Sequence, residues 1–139
     1  MLVRPFQAND AVAVVTLWER VGLLRSWNNP YRDIQRKLAI QPEGFLIGVL
    51  DGQVVATVMA GYDGHRGWIN YLAIAPEYQR AGYGREMMHQ AEEWLLKLGC
   101  PKINLQIRRD NLDAIAFYEA IGFTEDAVVS VGKRLISDR

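Results

Sequence analysis

The 139-residue sequence has one cysteine, two histidines, no net charge and no long apolar run. Each scarcity excludes something. Cys100 alone cannot close an intrachain disulfide, which agrees with a reducing compartment and makes the cytoplasm the expected location. It follows Gly99 at a helix end with no base beside it, so it reads as a small packing residue rather than a nucleophile. His65 and His89 are isolated, with no cysteine or carboxylate at ligand spacing, and no metal site is expected. The 16 basic and 16 acidic residues cancel. No overall field therefore draws nucleic acid or an anionic membrane, and neither is an expected partner; an anionic ligand must be held by local groups. The opening MLVRPFQAND lacks an apolar run of signal-peptide length, and no stretch of about 18 apolar residues is present to span a bilayer. A soluble protein is expected.

What is present suits one domain over residues 1–139, since half the residues are hydrophobic and can fill a core of useful size. Leu2 to Phe6 reads as a short strand. Asn9 is placed to cap a helix carrying Val12, Val15, Leu17, Trp18 and Val21 up to Gly22. Asn29 and Pro30 open a second helix that reaches about Ile40. The β-rich runs Phe45–Leu50 and Gln53–Gly61 flank Asp51-Gly52, a dipeptide suited to a type I′ hairpin. Trp68 to Ile74 adds a third strand. From Gly84 the apolar positions Met87, Met88, Ala91, Trp94, Leu95 and Leu98 share a helical face that ends at Gly99. Ile103 to Ile107 alternates as a strand, Asn111 starts a helix through Ala120, and β-like runs follow around Phe123 and from Val128 to Leu135. This order predicts a mixed α+β fold with helices on both faces of the sheet.

Chemistry concentrates at the turn Gln79-Arg80-Ala81-Gly82-Tyr83-Gly84, between the third meander strand and the long helix. Two glycines there let backbone amides approach a ligand, the helix start attracts anions, and Arg80 and Arg85 add charge at either side. Spacing alone leaves two readings open, a phosphate cradle or a tight packing turn. The turn lacks the Lys-Ser/Thr ending of a P-loop. It also lacks the third glycine of a dinucleotide fingerprint, with Met87 in that place, and the preceding strands read as antiparallel.

Gln79-x-x-Gly82-x-Gly84 resembles the Gln/Arg-x-x-Gly-x-Gly/Ala signature of the GNAT superfamily of N-acetyltransferases, and it follows a strand end, Leu72-Ala73-Ile74-Ala75-Pro76, that such proteins show. Asn111-x-x-Ala114-x-x-Phe117-Tyr118-Glu119-x-x-Gly122-Phe123 is similar to that superfamily's second motif. The segments Leu17–Arg20, Gly61–Gly67 and Gly132–Ile136 further resemble its bacterial YpeA-type branch, for which the acceptor does not follow. The resemblance implies a twisted, mostly antiparallel GNAT-like sheet splayed into a V-shaped cleft for acetyl-coenzyme A. By the same carry-over, backbone groups of Leu72 and Ile74 pair with the pantetheine arm. The amides of Gln79, Arg80, Ala81, Gly82, Tyr83 and Gly84, with Arg85, surround the pyrophosphate. Asn111, Ala114 and Phe117 line the opposite wall.

The reaction so implied is direct attack of a primary amine on the thioester. It needs an oxyanion donor, an acid for the leaving thiolate and a base for the ammonium. The resemblance gives the acid to Tyr118 and the oxyanion donor to a backbone amide at Leu72 or Ala73. Tyr118 also has a plain packing alternative, because Leu112, Ile115, Phe117 and Ile121 make its helix apolar nearly all round. No base is evident. Relatives place a glutamate on a central strand, whereas Trp68–Ile74 has no carboxylate and Lys102–Ile107 offers only Asn104 and Gln106. Asp63 and His65 are base candidates from a loop able to overhang the cleft, beside a water relay to bulk solvent.

Trp27, Asn28 and Tyr31, with Asn29, lie in the region resembling proteins use to vary the acceptor. Small amines, amino acids and protein or peptide amines all stay open. A coenzyme A-binding sensor or partner-binding module is the alternative function, motivated by the missing base. The β-rich tail either pairs within its own sheet or joins a second copy in a homodimer.

Overall fold

The structure, a computed structural model, describes residues 1–139. The chain runs β1 (Leu2–Pro5), α1 (Ala11–Arg20), α2 (Pro30–Ala39), β2 (Phe45–Leu50), β3 (Gln53–Tyr62), β4 (Gly67–Ile74), α3 (Tyr83–Lys97), β5 (Ile103–Leu105) and α4 (Leu112–Ala120). The strands form one sheet in sequence order, antiparallel from β1 to β4 and parallel between β4 and β5. A parallel neighbour needs a long crossover, and α3 supplies it.

Local chemistry sets several boundaries. Asp51 and Gly52 have φ of 50° and 75°, the two left-handed residues a type I′ turn requires, so β2 and β3 close directly on each other. The Asn29 side chain accepts from the amides of Tyr31 at 3.0 Å and Arg32 at 3.3 Å, and Pro30 fills the first helical position where no amide is needed. Asn9 does not cap α1 as expected. The chain instead turns through a short 3-10 segment at Ala8–Asp10, where the Asp10 carboxylate accepts from the Gln7 amide at 2.8 Å and takes both Arg4 nitrogens at 2.7 and 2.9 Å. A carboxylate at that point satisfies the helix entrance and an arginine of β1 together, which Asn9, exposed one residue earlier, does not. Val12, read as part of the apolar face, is 68% exposed.

Every residue of β3 from Val55 to Ala60 is buried. Side chains alternate across a strand, so both faces of the sheet centre are covered. Trp18 of α1 packs on the Thr57 face, and α3 covers the other with Met87, Met88, Ala91 and Leu95. No helix is long and apolar enough to cross a membrane.

The tail departs from expectation. No strand forms after α4. Residues 126–130 run alongside β5, but only side chains connect them: Lys102 meets Asp126 at 2.8 Å and Gln106 donates to Ser130. Alternating apolar residues make a strand only where a backbone ladder and a face to bury are available, and β5 stops at Leu105, short of the expected Ile107. Val128, Val129 and Val131 are left exposed.

Candidate active site

The pairing between β4 and β5 stops at the middle of β4. Gly67, Trp68 and Ile69 pair with Ile103, Asn104 and Leu105, and from Asn70 onward β4 has no partner on that side. The other side is irregular as well. In the β3 register Thr57 faces Ala73 and Met59 faces Asn70, so Tyr71 and Leu72 oppose the single residue Val58 in a bulge. Tyr71 has φ of 52°, a left-handed conformation that costs a bulky residue on the order of 1 kcal/mol or more.

What holds Tyr71 there is specific. Its ring stacks on Trp18 with centroids 3.8 Å apart, its hydroxyl donates to Asp33 Oδ2 at 2.7 Å, and its carbonyl accepts from Thr57 Oγ1 at 2.8 Å. Thr57, fully buried, accepts in turn from Trp18 Nε1 at 2.9 Å. Burial first and the Asp33 carboxylate second push the Tyr71 phenol well above its ordinary pKa.

At the far end of β4 the loop enters α3 through Arg80 and Gly82, with φ of 62° and 87°. Such turns aim successive amides to one side. None of the amides from Arg80 to Arg85 bonds within the protein, and the first helical bond runs from Glu86 to the Gly82 carbonyl at 3.0 Å. The result is a row of free donors at the positive end of a helix 15 residues long. Gln79 is turned elsewhere, its side chain donating to the Ile74 carbonyl at 3.1 Å and closing the strand end. Ala81 is exposed, and Tyr83 meets Tyr78 edge-on at 6.2 Å. Arg85 lines an open cavity of about 260 Å³ with Met88, His89, Glu92 and Ile121.

The two glycines do different things. Gly82 supplies the left-handed residue before α3 and has open space around it, whereas a Cβ on Gly84 would sit 3.1 Å from the Phe117 ring and 3.8 Å from Ile74. Gly84 thus lets α4 close against the head of α3. On α4, Asn111 caps the helix by accepting from the Ala114 amide at 3.1 Å. Phe117 and Tyr118 stack edge-on at 5.1 Å, with Phe123 against Tyr118 at 5.5 Å. Leu112 points to solvent and no residue of α4 is fully buried, so the all-round apolar pattern does not mean a core helix. Burial pushes the Tyr118 phenol up to about 12. Its hydroxyl has no partner in the protein, yet no buried polar side-chain atom is left unpaired. That hydroxyl must therefore reach an accessible surface.

Asp63 and His65 lie in the β3–β4 loop, at the opposite end of β4 from Gln79–Gly84. Eight residues of strand separate the two loops by roughly 23 Å. The Asp63 carboxylate accepts from the amides of His65 and Arg66 at 2.8 and 2.7 Å and from Trp68 Nε1 at 3.2 Å. Those amide bonds hold it below the usual carboxylate range, as a turn-making residue rather than a ready proton acceptor. Trp27 and Tyr31 are 46% and 45% exposed. The Arg108 guanidinium lies 5.7 Å over the Trp27 ring, joining the α1–α2 loop to the segment after β5, and Asn28 accepts from Arg134 at 2.7 Å.

Sequence reasoning missed Thr57, Asp33 and Asp138. Asp138 sits near the chain's end, where nothing marked it, yet it takes Arg36 at 2.6 Å, Arg134 at 2.8 Å and the Asn29 amide at 2.8 Å. Arg36, followed by these other donors, depresses its pKa far below the ordinary range. Because the folded-state pKa is lowered, the stabilisation is present above about pH 4, the unfolded value, and is lost as pH falls through the folded one. Asp138→Asn is expected to free the tail, seen as faster tryptic cleavage after Lys133 and Arg134 and a weaker dependence of stability on pH below about 4. Unchanged cleavage would show that the clamp does not hold the tail.

The β4 segment Asn70–Ile74, open on its β5 side, leads straight to the free amides of Arg80–Arg85, and the chain's relatives place it among the acyltransferases. More narrowly, the chain belongs to the acetyltransferase (GNAT) family, whose profile matches residues 13–123. An acetyltransferase of Pectobacterium atrosepticum is 44% identical over 139 residues, covering 100% of this chain and 99% of that protein. The ribosomal-protein-S18-alanine N-acetyltransferase from Escherichia coli superposes with a TM-score of 0.73 at 22% identity, over 91% of this chain and 79% of that one. An aminoglycoside N-acetyltransferase in complex with coenzyme A superposes with a TM-score of 0.73 at 16% identity, over 96% of this chain and 100% of that one. At such identities these two structures speak to the fold.

Proposed function

We propose that the protein, acting as one domain over residues 1–139, moves an acetyl group from acetyl-coenzyme A to a primary amine by direct attack. The observation that carries this reading is the joining of a strand segment without a partner on its β5 side, Asn70–Ile74, to unbonded amides at Arg80–Arg85. The strand segment offers backbone groups to a pantetheine arm in the manner of an added strand, at Leu72 and, beside the Gln79 contact, at Ile74. The amides, with Arg85, receive the pyrophosphate. Asn111, Ala114 and Phe117 form the facing wall. That a relative of the same fold binds coenzyme A supports this donor.

In this reading Tyr118 is the general acid. Its phenol keeps its proton at neutral pH and has no competing partner in the protein, so it is available to the departing thiolate. The amide of Leu72 or Ala73, beside the bulge, receives the developing oxyanion. Asp63 is committed to its turn, and both it and His65 stand far along β4, so either takes part only through ordered water; the ammonium proton leaves to solvent. The acceptor side is formed by Trp27, Asn28 and Tyr31 around the α1–α2 loop. Structural neighbours named for an aminoglycoside and for a ribosomal-protein alanine keep both small-molecule and protein amines within the range of acceptors. A second copy would add at the exposed run Val128–Val131, giving a homodimer whose mass scattering reads directly.

The test is calorimetric titration of coenzyme A together with thiol release from acetyl-coenzyme A across small amines, amino acids and peptides. Binding with acceptor-dependent thiol release is expected. Binding without release from any acceptor would favour a coenzyme-binding module, and no binding would defeat the reading.

A further inference from the structure

Thr57 lies on β3, away from every motif segment, and its side chain is fully buried. It makes two bonds of opposite sense, accepting from Trp18 Nε1 at 2.9 Å and donating to the Tyr71 carbonyl at 2.8 Å. A hydroxyl has a single proton, so the indole donor on one side commits that proton to the carbonyl on the other. The bond therefore has a fixed direction.

Its effect falls on the peptide between Tyr71 and Leu72. That peptide is trans, which sets the Tyr71 carbonyl and the Leu72 amide antiparallel across one plane. With the carbonyl drawn toward Thr57 on β3, the Leu72 N–H is turned away from β3. On that other side β4 has lost its β5 partner, since the pairing ends at Ile69. The bulge leaves Tyr71 and Leu72 without Cα partners in the β3 register too, so the ladder does not dictate this plane and a side chain has to.

We propose that Thr57, oriented by Trp18, is a positioning residue that aims the Leu72 amide into the parted strands, where it receives the oxyanion of acyl transfer. The proposal rests on the acetyl-transfer reading above and names what prealigns its donor. A donor for a developing charge helps only if it is already aimed, because reorienting it during reaction removes the advantage. The left-handed Tyr71 is held at three points, by Trp18, Asp33 and Thr57, and Thr57 is the one that grips the peptide itself.

Thr57→Val keeps the shape and removes the hydroxyl. The turnover number is expected to fall roughly tenfold to a hundredfold, less than the roughly hundredfold to thousandfold cost of deleting an oxyanion donor outright, because the Leu72 amide stays present and is only misaimed. Coenzyme A affinity by calorimetry is expected to stay unchanged, and Thr57→Ser to restore most of the turnover. A second readout does not depend on an acceptor: in wild type and Thr57→Ser the Leu72 amide proton resonance shifts on adding acetyl-coenzyme A, and in Thr57→Val it does not. Should Thr57→Val not fold, Trp18→Phe decides, since it keeps a stacking ring while removing the donor together with part of the indole's volume; a smaller loss of turnover and a weakened Leu72 shift are expected. Full turnover in Thr57→Val, equal loss in Ser and Val, a persisting Leu72 shift, or a Trp18→Phe enzyme with both readouts unchanged would overturn the proposal. Wild type that binds coenzyme A, shows the Leu72 shift and acetylates no amine would sink the transfer reading alone.

Discussion

Trp18→Ala is expected to lower the unfolding free energy by about 3–5 kcal/mol, the range for deleting a large aromatic from a close-packed interior. The indole is fully buried, stacks on Tyr71 at 3.8 Å and lies 6.2 Å from the Phe45 ring. Its loss leaves a cavity between α1 and the sheet and strips Thr57 of its donor. A domain stable by only about 5–15 kcal/mol loses a large share of its margin. Urea unfolding would show the midpoint falling with an unchanged slope if the native state stays compact. Val12→Ala is the contrast within the same helix: with its side chain in solvent, it is expected to stay within about 0.5 kcal/mol. Similar losses for both variants would mean that α1 is not anchored through its indole.

The parts of this fold that were legible are those whose causes lie within a few residues. Asp51-Gly52 demanded a tight hairpin, Asn29-Pro30 and Asn111 announced helix starts, and the spacing of Met87, Met88, Ala91 and Leu95 described the buried face of α3, although Leu98, read on that face, lies past the helix end and is 43% exposed. The bulge at Tyr71 was not legible, because its causes lie in Trp18, Asp33 and Thr57, which are 39 and 14 residues apart along the Trp18–Thr57–Tyr71 chain and 38 between Asp33 and Tyr71. The Arg36–Asp138 pair spans 102 residues, and no local pattern marks it. The tail shows the converse error: Val128, Val129 and Val131 have strand propensity, but propensity makes no strand without a ladder to join. The glycine turn was located by sequence, with a phosphate cradle and a packing turn both left open on spacing. In the structure Gly82 sets a left-handed backbone and Gly84 admits the Phe117 ring while its amide stays free, so part of the signature also encodes the seating of α4 on α3. This matters for the site, because the residue after Phe117 is Tyr118, and the packing at Gly84 fixes where its ring begins.

Tyr118→Phe is expected to reduce the turnover number by about 10²–10⁴-fold, the contribution of a positioned general acid, with little change in coenzyme A affinity. Removing the hydroxyl breaks no bond in the protein and orphans no buried group, so the fold should tolerate the change and the loss should be chemical. The pH dependence separates this role from packing. Burial raises the folded-state phenol to about 12, against about 10 for an exposed tyrosine. Any stability this shift contributes is complete below about pH 10 and is lost as pH rises toward the folded value, when the unfolded chain ionises first. Between neutral pH and about 10 the acid remains protonated, and wild-type turnover in the chemistry-limited regime should rise as the acceptor amine loses its proton, with no falling limb from Tyr118. The Phe variant should keep the rising limb, which belongs to the amine, at a uniformly lower rate. If it instead keeps the wild-type rate throughout that range, the leaving thiolate is protonated by something other than Tyr118, and the ring is part of the wall that Phe117 and Phe123 already form.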